Sequence, residues 1–348
     1  MRAVTPTNNA DWPSVSVVIP SYNYEQTLGR CLDAVLVQTC RPIEVIVVDD
    51  HSTDGSLLLA RGFPVTVLMT PRNAGVAAAR NLGAHHARGD IVFFVDADVV
   101  LDPGAIDAAI VEMKTDPSIV SVCGIYEPIP LVRHSFWEEC RSLQAYAWRI
   151  SSLGDVSAGF FSLGAIRNDA FRAVGAFNEN LRQTEEIDYG ERLRRVGRIV
   201  LSDLVRGRHD DDHLFVPTMR KLWRRSRDRV PFYLKKGELM QGFELPRRLV
   251  GTALTGMLWL APLLALWSPF AAAAAMLALI LGLLVVERGI YTQAVRVLGW
   301  ARLLPFIFWY MSFHTAAGLG VLAGLLKFGL SARFRKLYGD WENAKTGS

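Results

Sequence analysis

Residues 15–23 read Val-Ser-Val-Val-Ile-Pro-Ser-Tyr-Asn, and this stretch sets the pattern of the fold. Its first five residues are mostly apolar and β-branched, which is typical of a short buried strand, and polar residues follow at once. Such strand and helix patterns then alternate along the chain, which predicts βαβ units and an α/β domain with a mostly parallel, doubly wound sheet. The further strand-like runs are residues 44–49, 65–69 and 91–95, and the helical stretches are residues 28–37, 56–60 and 75–87.

Polar side chains follow three of these predicted strands. They lie at Pro20 to Asn23, at Asp49 to Gly55, and at Asp96-Ala-Asp98. In open α/β sheets, ligands bind beyond the carboxyl ends of the strands, so the three segments are expected to meet at one site. Helix capping explains one acidic pair after a strand, but it does not explain three polar segments in register.

The motif Asp96-Ala-Asp98 predicts a divalent metal site. Two carboxylates on alternate residues offer the hard oxygen ligands that Mg²⁺ and Mn²⁺ take, and these ions keep several waters and bind substrate phosphates. A metal held here would neutralise a diphosphate leaving group. The alternative is an ordinary pair of surface acids, which the position directly after a buried strand disfavours.

Three further segments carry candidate functional residues. Asn73 to Gly83 places a glycine turn at a helix start, where Arg80 would either bind a phosphate or face solvent. Thr184 to Asp188 supplies either a general base or acids that stabilise a helix N-terminus. His209-Asp-Asp-Asp-His213 contains residue types that ligate metals, and a solvated loop is the alternative.

Four motifs together resemble the family 2 glycosyltransferases of GT-A fold. They are Val15 to Asn23, Val47 to Gly55, Asn73-x-Gly-x5-Asn81-x-Gly83 and Phe94-Val-Asp-Ala-Asp98, in the family's order over residues 14–200. The resemblance implies a Rossmann-like GT-A domain and an inverting transfer from a UDP- or GDP-linked sugar, with Mg²⁺ or Mn²⁺ as cofactor.

The resemblance also implies roles for single residues. The donor side would contain Pro20, Tyr22, Asn23, Asp50, Asn73, Arg80 near the diphosphate, and Asp96 at the ribose or the metal. Asp98 would hold the metal, and His209 is a further candidate ligand by its residue type. The acceptor side would contain Gly159, Phe160 and Asp188.

Glu186 is the candidate general base, with Glu185 beside it. The run Thr184-Glu-Glu matches the family's Thr-Glu-Asp. Glu in place of Asp departs from that pattern, because the extra methylene moves the carboxylate by about 1.5 Å, and such a displacement can strongly reduce catalysis. The segment nearest to the Gln/Arg-x-x-Arg-Trp of processive synthases is Arg224 to Asp228, which lacks the tryptophan and disfavours a polymer synthase.

Two long segments contain no charged residue. They are residues 249–286 and 303–326, of 38 and 24 residues, and about 20 apolar residues span a bilayer. The first predicts a hairpin of two spans, 249–267 and 269–286. The second would be a third span, but it would place the basic residues after it outside, against the positive-inside rule. An interfacial or re-entrant helix is the alternative.

A basic block precedes the first predicted span. Between Arg220 and Arg248 the chain has ten Lys or Arg against three acids, which predicts contact with anionic membrane lipids on the cytoplasmic side. The block has no aromatic–basic repeat, so nucleic acid is not an expected partner. The four cysteines show no metal spacing, and residues 1–13 lack a signal-peptide pattern, so the first domain is expected to be cytosolic.

These observations predict five regions. They are a tail at 1–13, the GT-A domain at 14–218, basic juxtamembrane helices at 219–248, α-helical membrane segments at 249–326 and a basic tail at 327–348. The expected protein is a glycosyltransferase in the cytoplasmic membrane, with a cytosolic active site and a lipid or lipid-linked hydroxyl acceptor. Two alternatives stay open: a polyprenyl-phosphate glycosyltransferase, whose acceptor needs no general base, and a degenerate nucleotide-binding scaffold.

Overall fold

The computed structural model describes residues 12–181, 184–236 and 246–336. Within them the chain divides into two compact units. The first unit contains residues 12–132 and 148–211, and the second contains residues 133–147, 212–236 and 246–336. Nearly all of the predicted N-terminal tail, and the predicted C-terminal tail beyond residue 336, lie outside the described residues.

The first half of the central sheet is parallel, as the strand–helix alternation predicts. Its order is β3-β2-β1-β4, and all residues of β1 and β4 are buried, because helices cover both faces. The strands are β1 (Val15–Ser21), β2 (Glu44–Asp49), β3 (Thr66–Met69) and β4 (Ile91–Val95). The helices between them are α1 (Leu28–Leu36), α2 (Ser56–Arg61) and α3 (Val76–His86).

The second half of the sheet is mixed. The strands are β5 (Val99–Leu101), β6 (Ile119–Tyr126), β7 (Gly154–Asp155), β8 (Leu163–Arg167) and β9 (Arg198–His209). Strand β8 lies antiparallel between β4 and β6, while β9 is parallel to β6 and antiparallel to β5 and β7. The predicted α/β class is confirmed. The sequence pattern did not predict β8 and β9, because glycine and charged residues interrupt their apolar runs.

The remaining helices of the first unit bring the acidic cluster to the sheet. They are α4 (Ala105–Thr115), α6 (Asn168–Val174) and α7 (Glu185–Leu193), and α5 (Phe136–Ile150) is shared with the second unit. Helix α7 begins at Glu185, so its first turn carries three acids near the helix N-terminus. Strand ends, the first two turns of α3 and the start of α7 supply most candidate residues of the site.

All regular secondary structure in the described residues of the second unit is helical. Its helices are α8 (Phe215–Lys236), α9 (Pro246–Leu260), α10 (Pro269–Val286), α11 (Arg288–Leu298), α12 (Leu303–Leu330) and α13 (Ala332–Arg335), with 3₁₀ turns at Ala261–Leu266 and Trp300–Arg302. The start of α5 belongs here because Trp137 packs on Phe215, and because the Ser135 hydroxyl donates to the His213 carbonyl. The sequence had assigned these residues to the first domain.

Three segments are long and apolar enough to cross a membrane, namely Arg247–Leu266, Pro269–Val286 and Trp300–Leu330. The first two meet at Ser268, whose side chain caps α10 by accepting the N–H of Ala271. Leu266 and Phe270 near this turn are 81% and 88% exposed, as expected for side chains that face lipid. The three helices support membrane anchoring of the chain.

Candidate active site

The loops after β1 and β2 are joined at the carboxyl edge of the sheet. The N–H of Asn23 donates to Ser52 Oγ at 3.0 Å, and the N–H of Thr53 donates to Asn23 Oδ1 at 2.7 Å. Asn23 and His51 have φ angles of 60° and 61°, a left-handed conformation that is uncommon outside glycine and is concentrated at functional sites. Tyr22 is 44% exposed beside them, so its ring is available to a ligand.

Asp50 holds the turn that starts α3. Its carboxylate accepts the Thr70 hydroxyl and the N–H groups of Ala74 and Gly75, at 2.7 to 2.8 Å. Gly75 has a φ of 96°, which glycine adopts without strain. Asn73 donates its side-chain N–H to the Asp50 carbonyl at 3.2 Å. The structure therefore brings Asp50 and Asn73 together, while their contact with a nucleoside stays a prediction, as does that of Pro20, which is buried in β1.

Arg80 is the centre of a carboxylate cluster. Its guanidinium lies 3.0 Å from Asp96, 3.4 Å from Glu185 and 3.2 Å from Glu186, and the side chain is only 2% exposed. Arg80 comes from α3, whereas the two glutamates come from the start of α7, more than 100 residues later. This geometry makes Arg80 a residue that positions three acids, and its predicted contact with the diphosphate stays a prediction.

Glu186 has the geometry of a general base. Its Oε1 accepts the N–H of Phe161 at 3.0 Å and contacts Arg80, while the side chain remains 26% exposed. Burial raises the pKa of Glu186 to about 7, with Arg80 opposing the rise and Glu185 adding to it. A carboxyl group with a pKa near neutrality can both accept a proton and release it. Glu185 is buried, and its carboxylate contacts the same Arg80 guanidinium at 3.4 Å.

Asp96 and Asp98 follow β4 as predicted, and their environment fits a divalent cation. Asp98 is nine-tenths buried, yet its Oδ1 has no hydrogen-bond partner. Burial raises the pKa of Asp96, with Arg80 lowering it and Asp98 raising it. Within the described ranges, no three His, Cys, Asp or Glu side chains are grouped closely enough to enclose a metal. Mg²⁺ or Mn²⁺ would therefore take its other ligands from water and phosphate.

His209 ends β9 and reaches Asp98, with Nε2 3.5 Å from Oδ2. Its ring stacks on Tyr126 with centroids 4.6 Å apart. Burial lowers the pKa of His209, but Asp98 and the other neighbouring groups outweigh burial and raise the pKa well above the ordinary value. A role for His209 as a metal ligand stays a prediction. His213 belongs to the second unit, where its ring lies 5.2 Å from that of His134.

The residues predicted for the acceptor side lie in a tightly packed segment. A Cβ added to Gly159 would collide with the ring of Phe161, and the N–H of Phe160 donates to a cysteine sulfur at 3.1 Å. Asp188 forms an ion pair with Arg192 at 3.0 Å, so its carboxylate is directed along α7. Contact of these residues with an acceptor stays a prediction.

Sequence reasoning missed four residues of this region, namely Tyr24, Tyr126, Arg149 and Phe161. Phe161 supplies the N–H that holds Glu186, and Arg149 places its guanidinium 3.9 Å from the Tyr126 ring. Tyr24 lies near enough to Asp98 for that carboxylate, together with burial, to raise the pKa of the phenol. These residues come from distant parts of the chain, and the only local signal was the position of Tyr24 beside Tyr22.

Comparison with known proteins agrees with this geometry. Residues 16–171 match the model of glycosyl transferase family 2. An uncharacterized glycosyltransferase of Haemophilus influenzae is 29% identical over 50% of this chain and 60% of its own length. The chondroitin synthase of Escherichia coli is 27% identical over 53% of this chain and 27% of its own length.

A solved structure shares the fold. It is a mannosyltransferase of Pyrobaculum calidifontis in complex with GDP-Man and Mn²⁺, with a TM-score of 0.55 and 21% identity over 92% of this chain and 89% of that one. The sheet and its strand-end acids thus define a GT-A fold. The chain spans less than two thirds of the length of these curated relatives.

Proposed function

We propose that the chain transfers a sugar, with inversion, from a nucleotide-sugar donor to a hydroxyl group of a lipid or lipid-linked acceptor at the cytoplasmic face of a membrane. The observation that carries the proposal is the placement of Glu186. A partly exposed carboxylate with a pKa of about 7 lies in the same cluster as the Asp96–Asp98 pair, joined to it through Arg80. This proximity supports a reaction in which a base acts next to the diphosphate of the donor.

The reaction assigns one task to each group. The acceptor hydroxyl loses its proton to Glu186, its oxygen bonds to the anomeric carbon, and the bond from that carbon to the diphosphate breaks. The nucleoside diphosphate then leaves with the electron pair. Oε1 of Glu186 is held by Phe161 and Arg80, so Oε2 is the oxygen that faces the acceptor. Holding the base in one orientation supplies part of the rate enhancement.

Asp98, with Asp96, would hold Mg²⁺ or Mn²⁺. When bound, the ion would neutralise charge on the departing diphosphate as a Lewis acid. The Asp98 side chain suits this because its unpartnered Oδ1 is buried in the turn between β4 and β5. Replacing Asp98 with Asn keeps the shape but removes the charge. We expect this D98N variant to lose roughly 100- to 1,000-fold in turnover and to need more metal for half-maximal rate.

The apolar helices favour an acceptor at the membrane. A lipid-linked acceptor stays in the bilayer, so an anchored enzyme meets it at high local concentration. The UDP- or GDP-linked donor, by contrast, is water-soluble. A soluble acceptor is the alternative, and a comparison of lipid extract with water-soluble acceptors separates the two cases.

The decisive experiment is a panel of UDP- and GDP-linked sugars incubated with the purified chain, Mg²⁺ or Mn²⁺, and native membrane lipid extract, with products identified by mass. Formation of a glycosylated lipid by the native chain, lost in Glu186→Gln, supports the proposal. Unchanged turnover in Glu186→Gln, with a sugar phosphodiester product, would assign the phosphate acceptor instead. Product formed only with water-soluble acceptors would remove the lipid from the proposal.

A further inference from the structure

Helix α12 is long enough to span a membrane. Unlike the hairpin of α9 and α10, it packs along most of its length against the charged helix α8. Both α8 and α12 run in the same direction, side by side. Phe215 stacks on Phe308 with ring centroids 6.1 Å apart. Further along, a Cβ at Gly324 would lie 2.5 Å from the Val230 side chain, and Gly320 meets the α8 backbone just as closely. Small residues on α12 thus allow close contact with α8.

Helix α8 is too strongly charged to lie in hydrocarbon. Between Arg220 and Arg229 it carries six Lys or Arg and one Asp, over the stretch that packs along the C-terminal half of α12. Charged side chains inside a bilayer are costly and rare, and they face a protein interior or water. If α12 crossed the membrane, α8 would have to enter the membrane beside it.

The middle of α12 is fixed at one end of the hairpin. His314 Nε2 lies 3.5 Å from Glu287, which directly follows α10, and the His314 ring also makes a 2.9 Å hydrogen bond with Thr252 near the start of α9. Tyr310 donates its hydroxyl to Glu287 at 3.1 Å. From His314 to Leu330 the helix extends only about 24 Å, which is less than the roughly 30 Å of a hydrocarbon core.

The exposed side chains of α8, α12 and α13 are of two kinds. Leucines spaced along α12 are exposed, with Leu330 at 88%. Basic side chains are exposed on α8, on the last turn of α12 and on α13, namely Arg220, Lys221, Arg224, Lys327, Arg333, Arg335 and Lys336. Apolar side chains flanked by Lys and Arg are typical of helices that lie in a bilayer surface and bind anionic headgroups.

We infer that α12 does not cross the membrane, and that the α8–α12 pair lies along an anionic bilayer surface on the side where the hairpin begins and ends. Only α9 and α10 then span. The basic residues after α12 stay on the same side as Arg248, which satisfies the positive-inside rule. This inference is independent of the proposed function.

The test is the side of the membrane on which each segment is exposed. Three variants of the full chain each add one cysteine to the native ones, namely Gly289→Cys, Trp267→Cys and Ala332→Cys. Each variant is placed in sealed membrane vesicles of one orientation. A membrane-impermeant maleimide is added, and labelled peptides are identified by mass, which separates these sites from the native cysteines. All three positions are exposed, and a Cβ at Gly289 meets nothing within 4 Å.

We expect Ala332→Cys to be labelled from the same side as Gly289→Cys, and Trp267→Cys to be labelled only from the other side. Labelling of Ala332→Cys together with Trp267→Cys would overturn the inference, because α12 would then cross.

A depth measurement gives an independent test. A fluorophore on Leu322→Cys is quenched by lipids that carry quenchers at known depth, and Leu277→Cys in the middle of α10 is the matched control. We expect shallow quenchers to act best at position 322 and deep quenchers at position 277. Deep quenching at both positions would contradict the inference.

The anionic surface is tested with the same labelled chain. Shallow quenching at position 322 is expected to fall in bilayers without anionic lipid, and to fall in anionic bilayers when Arg220 and Arg224 are both replaced by Gln. Quenching that is unchanged by either step would remove the anionic headgroups from the inference.

Discussion

The two units of the chain differ in how far their large apolar side chains are buried. In the first unit many large apolar side chains, such as Phe93 and Leu32, are completely buried, so this unit builds its own core. In the second unit many of them are outside, with Leu266 at 81% and Leu330 at 88% exposure. The exposed apolar side chains of the second unit favour contact with lipid, which the first unit does not need for its core.

Buried polar groups occur in both units, but their arrangement suits different roles. The first unit gathers carboxylates around Arg80 and leaves Glu186 partly exposed, which suits chemistry. The second unit buries Glu287 and His314 almost completely, which suits joining helices. Pairing reduces the cost of buried charge in both units, and in the Arg80 cluster Glu186 remains partly open.

The largest effect is expected from a substitution that removes the general base and keeps the fold of the first unit. Glu186→Gln keeps the side-chain shape but removes the base, so turnover should fall by roughly 100- to 10,000-fold. Glu186→Asp is the matched variant, and we expect an intermediate loss because the shorter side chain draws away from the Phe161 N–H. Steady-state kinetics on folded variants measure both, and equal activity of all three chains would contradict the assignment.

The contrast in burial is tested by two leucine truncations. Leu32→Ala removes a fully buried side chain of α1 and should lower the free energy of unfolding by about 2–5 kcal/mol. Leu266→Ala removes an exposed one and should change it by no more than about 0.5 kcal/mol. Denaturant titrations of the chain in detergent give both values. Similar losses at the two positions would show that residue 266 packs inside protein.

Close helix packing in the second unit is tested at glycine. Gly320→Leu places a side chain where the Trp223 carbonyl oxygen lies 2.5 Å from the new Cβ, so we expect a loss of about 1–3 kcal/mol. Gly329→Leu is the control on the same helix, because a Cβ there meets nothing within 4 Å. Thermal unfolding midpoints should fall for the first variant alone. Equal midpoints would mean that α8 does not press on Gly320.

The smallest effect is in the pH dependence. Glu186 acts as a base only when it is ionised, and its pKa is raised to about 7 by burial. Activity should therefore be full above this pKa and fall roughly tenfold per pH unit below it. A profile of kcat/KM against pH measures the acid limb. If activity instead fell only near pH 4, the ordinary pKa range of a glutamate, the site would not raise the pKa of Glu186.

Local pattern predicted much of the fold and part of the site. The runs that form β1, β2 and β4 are mostly apolar on both faces, so their burial was readable without contacts, and the charge-free segments predicted the hairpin. The Asp96–Asp98 pair was readable because it directly follows such a run. Strand β8 was not predicted, because its glycine and arginine interrupt the apolar pattern of a buried strand. It is buried because it pairs with β4 on one side and β6 on the other.

The amino-acid sequence alone determined the α/β class, the acids at the strand ends and the presence of apolar helices, because each depends on residues close together in the chain. Only the tertiary structure decided which groups meet. Arg80 binds acids from α7, His209 reaches Asp98 because β9 pairs with β5, and α12 lies against a charged helix. Contacts of this kind join residues far apart in sequence, and they arise only when the sheet and the helices pack.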